Sequence, residues 1–263
     1  MSSVAGVTGT SVVVTGGNQG LGRAIAIAFA EAGADVAITA RTAATLESVA
    51  TEIRALGRRC LAVPCDVADE ASVATLAARV GSELGPVATV VANAGIAGPT
   101  KPLHEISWAE WRECVGTDLD GVFLTFRAFL PGLLERRKGS LIAISSITGK
   151  RPLENRTPYA AAKLGVIGLV RTLAVEVGRH GVRANTVVPG AITGPRIERV
   201  IESQVASRGV SPELVRQELT AGAALQRMVD PGEVANACVF LASDAASGIT
   251  GEDLNVSAGL VMY

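Results

Sequence analysis

The chain has 263 residues, 48% of them apolar and only 3% aromatic, with a formal charge of −1. That length holds one large α/β domain or two small ones, and the dominance of Ala, Val, Leu and Ile suits alternating strands and helices around a covered sheet. The near-balance of charge argues against a nucleic-acid or anionic-membrane partner, and no apolar run of about 18 residues is free of charge or Gly, so no spanning helix is expected.

The first residues, Met1 to Gly6, lack a basic region followed by an apolar core, so a cytoplasmic rather than a secreted protein is expected. Cys60, Cys65, Cys114 and Cys238 form no CxxC pair and read as reduced, structural thiols. His104 and His180 are isolated, and neither has a zinc-ligand neighbour at metal spacing, so no metal site is expected.

In chain order, Val12-Val13-Val14 predicts a first strand. The turn Thr15-Gly16-Gly17-Asn18-Gln19-Gly20-Leu21-Gly22 follows, and Arg23 to Ala32 carries apolar residues at helical spacing before stopping at Gly33. Strand, Gly-rich turn and helix make a phosphate cradle: glycines let the backbone come close, and the helix N-terminus offers free N–H groups to a pyrophosphate. Val36 to Ala40 predicts the second strand. Its end, about 20 residues beyond the glycines, is where such a domain reads the ribose 2′ position. An acid there would accept from a 2′-hydroxyl; this chain has Ala40 and then Arg41, which favours a 2′-phosphate and hence NADP(H), with NAD(H) as the alternative.

Leu46 to Leu56 predicts a helix ending at Gly57, and Cys60 to Pro64 a third strand. In Cys65-Asp66-Val67, Asp66 reads as an N-cap, as an acid beside an adenine, or as both. Val73 to Leu84 is a further helix. Val87 to Ala92 is a fourth strand, followed by Asn93-Ala94-Gly95, small residues that leave room for a ligand, with Asn93 able to lock the turn or the sheet edge. Four strands alternating with helices by this point imply a parallel sheet.

Trp108 to Glu135 is a long helical region that Pro131 is expected to bend or break. Ser140 to Ser146 predicts the fifth strand running into a turn, Thr157 to His180 a helix, and Val182 to Val188 a sixth strand ending in Pro189-Gly190. From Ile192 to about Leu225 the rhythm breaks into short helices after a strand end, the place for a substrate lid. Pro231 to Leu241 is the last helix and Asp253 to Val256 the last strand. Without repeats, linkers or a shift in composition, residues 1–263 read as one doubly wound, Rossmann-like α/β domain with helices on both faces and a lid at about 192–225.

The chemistry concentrates at Ser146, Tyr159 and Lys163. On a helix, Tyr159 and Lys163 share a face, and an ammonium near a phenol favours the phenolate. A phenol so placed can pass a proton to a substrate oxygen or take one back. Ser146, just past a buried strand, could meet that phenol over one substrate oxygen.

Taken together, Thr15-Gly16, Gly20-Leu21-Gly22, Asp66-Val67, Asn93-Ala94-Gly95, Ser146, Tyr159 with Lys163, Pro189-Gly190 and Gly251-Glu252-Asp253-Leu254-Asn255-Val256 resemble the short-chain dehydrogenase/reductase family over nearly the whole chain. The resemblance implies a nicotinamide dinucleotide at the C-terminal edge of the sheet and interconversion of a ketone or aldehyde with an alcohol. It implies Tyr159 as general acid/base, Lys163 on the nicotinamide ribose, Ser146 positioning the carbonyl, and Asn93, Pro189 and Ile192 lining the cofactor. It also implies a homo-oligomer, dimer or tetramer, paired through the helices around residues 108–135 and 157–180.

Three positions depart from the family pattern. Asp118 stands where an Asn usually holds a water that links the Lys to solvent. A carboxylate there would favour a charged Lys163, or be a simple swap if the role rests on the backbone. Ala92 replaces an Asn, and Gly194 stands where a Thr often contacts the carboxamide, with Thr193 beside it. Arg151, Arg156, Arg196 and Arg199 near the predicted mouth read as solvated surface charges, with an anion-binding role as the rival. The substrate itself is read only as a small carbonyl or alcohol compound with a hydrophobic portion.

Overall fold

The structure, a computed structural model, describes residues 4–263, with Ser207 as backbone only. Seven strands form one parallel sheet: β1 (Ser11–Thr15), β2 (Asp35–Ala40), β3 (Cys60–Pro64), β4 (Val87–Ala92), β5 (Gly139–Ile144), β6 (Val182–Pro189) and β7 (Asp253–Val256). Their spatial order is β3-β2-β1-β4-β5-β6-β7. The chain winds outward from β1 in one direction, then returns to start again at β4 in the other, which is the doubly wound, Rossmann-like arrangement.

Alternation along the strands decides which side each residue serves. Val12, Val14, Val36, Ile38, Ile142 and Val187 point to one face, where they meet α1 (Gly20–Glu31), α2 (Ala43–Ala55) and α9 (Pro231–Ala242). Val13, Ala37, Val63, Val90, Leu141 and Ala184 point to the other, against α3 (Glu70–Glu83), α5 (Gly121–Arg136) and α6 (Thr157–Gly178). Strands covered on both faces carry continuous apolar runs, which is why Val-Val-Val and Val-Ala-Thr-Val-Val-Ala are legible as strands.

The long helical region differs from the sequence expectation. It begins as α4 (Trp108–Val115), passes through a π-helical turn at Gly116–Asp120 and continues as α5. Pro131 does not break α5, which runs through it to Arg136. Phe126, Phe129 and Leu133 are buried on the sheet around it, and that packing outweighs one missing backbone hydrogen bond, while the Pro131 ring faces solvent. After β6 come α7 (Pro195–Arg208) and α8 (Pro212–Thr220), with Ile192 bridged to Val229 alongside. All four cysteines are free. Burial pushes the thiols of Cys60, Cys114 and Cys238 up to about 12, which leaves them protonated and inert at neutral pH.

One acid pins the β2–β3 edge. Asp35 accepts from Arg58 Nη2 at 2.8 Å, Arg59 Nε at 2.7 Å and the Arg59 backbone N–H at 3.0 Å. Burial pushes its carboxyl up, but the hydrogen bonds from Arg59 and the charges of both guanidiniums outweigh burial and leave it below the usual carboxylate range. A lowered folded-state value gives stability that is present above the unfolded value of about 3.9 and is lost as pH falls through the folded value. Urea denaturation from pH 6 down to pH 2.5 should therefore show a shallower acid loss in Asp35→Asn than in the parent, and parallel curves would remove Asp35 from the acid response.

Candidate active site

All seven strands point the same way, so their C-terminal ends share one edge of the sheet, and the crevice opens between β1 and β4 where the winding reverses. The turn after β1 lies there. Gly16 and Gly20 hold positive φ of 66° and 52°. A Cβ on Gly22 would fall 2.0 Å from the Gly16 carbonyl oxygen, and one on Gly16 would fall 2.9 Å from Ala94 Cα, so neither tolerates a side chain. Gly20 is different: nothing lies within 4 Å of where its Cβ would be. Gln19 makes no side-chain cap to α1 and no acid occupies its first turn, so the first N–H groups of α1 face an open, uncharged cradle. Asn18 Nδ2 donates to Thr45 Oγ1 at 3.0 Å and ties the outer part of the turn to α2. Leu21 is half-buried against the sheet.

Asn93 closes the inner part. Its Nδ2 donates to the Thr15 carbonyl at 2.9 Å, while the Asn93 and Ala94 backbone N–H groups both donate to Thr15 Oγ1 at 3.0 Å. Thr15 is thus the acceptor that binds the end of β4 to the end of β1, a role the sequence reading missed. Arg41, directly after β2, is exposed, and its guanidinium has no ion-pair partner among the described residues.

The end of β5 and the start of α6 are laced together. Ser145 Oγ donates to the Lys163 carbonyl at 2.7 Å, and Lys163 Nζ donates to the Ile144 carbonyl at 3.1 Å. β5 ends at Ile144, so Ser145 and Ser146 belong to the turn rather than to the strand. Ser146 Oγ accepts from the Thr148 N–H at 3.1 Å and caps the 3-10 turn Ile147–Gly149. Gly149 must be Gly, because a Cβ would lie 2.8 Å from the Lys163 carbonyl carbon.

Lys163 is only 4% exposed, and Asp118 Oδ1 stands 3.2 Å from Nζ. The pair is close but not aligned as a hydrogen bond, so Oδ1 has no hydrogen-bond partner among the described residues. Asp118 Oδ2 accepts from the Ile96 N–H at 3.3 Å and from Cys114 Sγ at 3.7 Å. Asp118 sits in the π-helical turn, and Gly95 makes room for it: a Cβ on Gly95 would lie 2.3 Å from Oδ1. The space that Gly95 leaves is therefore filled by this carboxylate. The side chain of Asp118, and not only its backbone, is engaged.

Tyr159 lies one turn before Lys163, its ring centroid 5.7 Å from Nζ. Two guanidiniums face the same ring, Arg156 at 4.9 Å and Arg196 at 5.8 Å. Arg156 corrects the sequence expectation of solvated charges. It is 6% exposed, stands directly before α6 and donates to the Ala97 carbonyl at 2.6 Å. Arg151, Arg196 and Arg199 are exposed as expected. No spacing pattern signals a buried guanidinium.

Asp66 needs a second correction. The N-cap of α3 is Asp69, which accepts from the Ala71 and Ser72 N–H groups, while Asp66 closes a short turn by accepting from the Ala68 N–H at 3.0 Å. Asp69 lies directly before the helix and Asp66 three residues too early. Val67 is buried against Gly121, where a Cβ would meet it at 2.8 Å. Pro189 ends β6, the Gly190 N–H donates to the Val256 carbonyl at 2.9 Å, and Ile192 follows at the same edge.

A family model described as enoyl-(acyl carrier protein) reductase matches residues 15–261. The chain belongs to the short-chain dehydrogenase/reductase family. Among curated relatives of this family, cis-4-hydroxycyclohexanecarboxylate dehydrogenase of Sinomonas cyclohexanicum is 40% identical over 247 residues, covering 94% of each chain. Acetoacetyl-CoA reductase of Synechocystis sp. is 40% identical over 249 residues, again covering 94% of each. Among solved structures, an actinorhodin polyketide ketoreductase with NADPH superposes with a TM-score of 0.92 at 32% identity, covering 99% of this chain and 100% of that one.

The chain is accordingly a short-chain dehydrogenase/reductase acting on CH–OH or C=O groups. Its residues fit a nicotinamide dinucleotide: the Gly20 cradle is open, and the α1 N-terminus is uncapped and free of acids. In Asn93→Ala the Thr15 carbonyl loses its donor and the turn its lock. Urea denaturation should show a loss of about 1–3 kcal/mol, and a change below about 0.5 kcal/mol would mean that the turn holds without Asn93.

Proposed function

We propose that this chain is an NADP(H)-dependent oxidoreductase that interconverts a ketone or aldehyde with an alcohol, with Tyr159 as general acid/base. The observation that carries the reading is the buried ammonium of Lys163, held by the Ile144 carbonyl and Asp118 and set beside the Tyr159 ring. In this reading the fixed positive charge beside the ring supports proton transfer by the phenol. Nicotinamide, when bound, supplies the hydride to the carbonyl carbon or accepts it from the carbinol carbon. Tyr159 gives the proton to the oxygen in reduction and takes it in oxidation, and Ser146 positions that oxygen. Lys163 also holds the nicotinamide ribose, and Asp118, 3.2 Å from Nζ, anchors the Lys163 side chain.

In this reading Gly16, Asn18, Gln19, Gly20, Leu21 and Gly22 cradle the pyrophosphate. Asp66 and Val67 flank the adenine, and Asn93, Pro189, Gly190 and Ile192 line the rest of the cofactor. Arg41 takes the 2′-phosphate, since its guanidinium is exposed, unpaired and next to the end of β2, where an acid would be needed for a free ribose. The chain acts as one domain with α7 and α8 as its lid. Trp108, Phe123, Leu164 and Val175, large and exposed on α4, α5 and α6, suit pairing with a second copy. No helix of the described residues is long and apolar enough to cross a membrane.

In Tyr159→Phe, turnover of a reducible carbonyl should fall by about 10²–10⁴-fold while NADPH affinity holds. Turnover near the parental rate would remove Tyr159 from the proton step. Fluorescence titration should show NADPH bound at least about tenfold tighter than NADH, a preference that Arg41→Ala erases. Tighter NADH binding by the parent would replace the reading with an NAD-dependent alcohol dehydrogenase of the same family.

A further inference from the structure

Arg156 has no task in the reaction just described, yet its placement is costly. It is 6% exposed, its Nη2 donates to the Ala97 carbonyl, and its Nε is buried without a hydrogen-bond partner. No carboxylate pairs with it among the described residues. Asp118 is taken by Lys163, and Glu198, on the adjoining helix α7, is taken by Arg216. Arg196, in the first turn of α7, brings a second guanidinium to the same Tyr159 ring and is itself unpaired among the described residues. Burial pulls the Arg156 pKa below its ordinary value, and the charge of Arg196 pulls the same way, although Tyr159, Cys114 and Asp118 oppose them.

A guanidinium without an ion pair in a desolvated place is a standing cost, and an anion that pairs with it reduces that cost. Arg196, exposed and without an ion pair among the described residues, presents a planar fork that matches a carboxylate, and Arg156, its Nη2 taken by Ala97 and its Nε buried, adds a second positive charge beside the same ring. Both cations lie against the Tyr159 ring, so an anion held there sits beside that ring. We propose that Arg156 and Arg196 form an anion subsite beside Tyr159 that takes the carboxylate of a small hydroxy- or oxo-carboxylic acid substrate. This rests on the oxidoreductase reading for the site as a whole and adds the class of substrate. Arg156 gives the fixed, buried half of the subsite, and Arg196 gives the half that stands on α7 and meets solvent.

The test uses two uncharged-versus-charged probes of one shape, neither of which can be reduced at the ring: cyclohexanecarboxylate and cyclohexanecarboxamide. Their affinities for the full chain are measured by calorimetry, with and without NADP⁺. The parent should bind the carboxylate at least about tenfold tighter than the amide, and Arg156→Gln should bring the two within about twofold. Arg196→Gln alters an exposed side chain with no ion pair to lose, so it keeps the test valid if the Arg156 variant fails to fold. It should shrink the ratio by about threefold or more. Equal affinities in the parent, no binding of either probe, or a ratio that survives in both variants would overturn the subsite and leave the guanidiniums with only the phenol to serve. NADPH oxidation with neutral ketones tests the oxidoreductase reading separately, because the probe ratio is read whether or not any carbonyl turns over.

Discussion

Lys163 is a cation in the protein interior, and the architecture around the crevice can be traced to how that charge is kept. Removing an ammonium from water costs several kcal/mol even after relaxation, so it has to be paired or hydrogen-bonded on arrival. Two groups meet the need from opposite directions: the Ile144 carbonyl, left free because β5 ends there, and Asp118, carried in by a π-helical turn. A regular helix from Trp108 to Arg136 would advance each residue by a fixed angle. The single wide turn at Gly116–Asp120 shifts that register at the point where a carboxylate must face Lys163. Gly95 and Gly149 then follow as requirements, since a Cβ on either would strike the ion pair or the backbone of α6.

The sheet supplies the other half of the geometry. Parallel strands place every strand end on one edge, and the reversal of winding at β1 and β4 leaves that edge open between them. Thr15 and Asn93 close the inner part of the opening, while the Gly-rich turn and the α1 N-terminus form its outer part. The Gly-rich turn after β1 and the Tyr159 end of α6 therefore both lie at the C-terminal edge of the sheet, which is the layout the proposed function uses.

Much of this was legible in the sequence because it depends on local rules. A short, mostly apolar run after Gly-Pro marks a strand buried on both faces, and β4 begins and ends where its run does; β3 and β7, the edge strands, also match the expected ranges. Tyr159 and Lys163 are four apart on a helix, so their nearness is a consequence of periodicity. What was illegible depends on long-range packing. Pro131 is a helix breaker by propensity, but the buried side chains around it belong to a contact with the sheet that local sequence does not show. Asp66 and Asp69 are equally good caps by type, and only the start of α3 separates them. The π-turn has no composition signal, so register identified Asp118 and raised its pairing with Lys163, but left a side-chain and a backbone role undecided, which the 3.2 Å contact settles in favour of the side chain.

The same distinction explains why Arg151, Arg156, Arg196 and Arg199 could not be told apart by reading. All four are arginines near Pro and Gly in polar stretches, which is the signature of solvated loop charge. Burial of Arg156 is settled by a distant event, the passage of the Ala97 backbone across it. Two buried cations now stand within reach of one phenol, and they differ in a single respect. Lys163 has its anion built into the chain. Arg156 forms no ion pair among the described residues, and its Nε has no hydrogen-bond partner. A cation paired within the chain stays satisfied whatever is bound, whereas one without an ion pair suits a residue whose partner comes and goes.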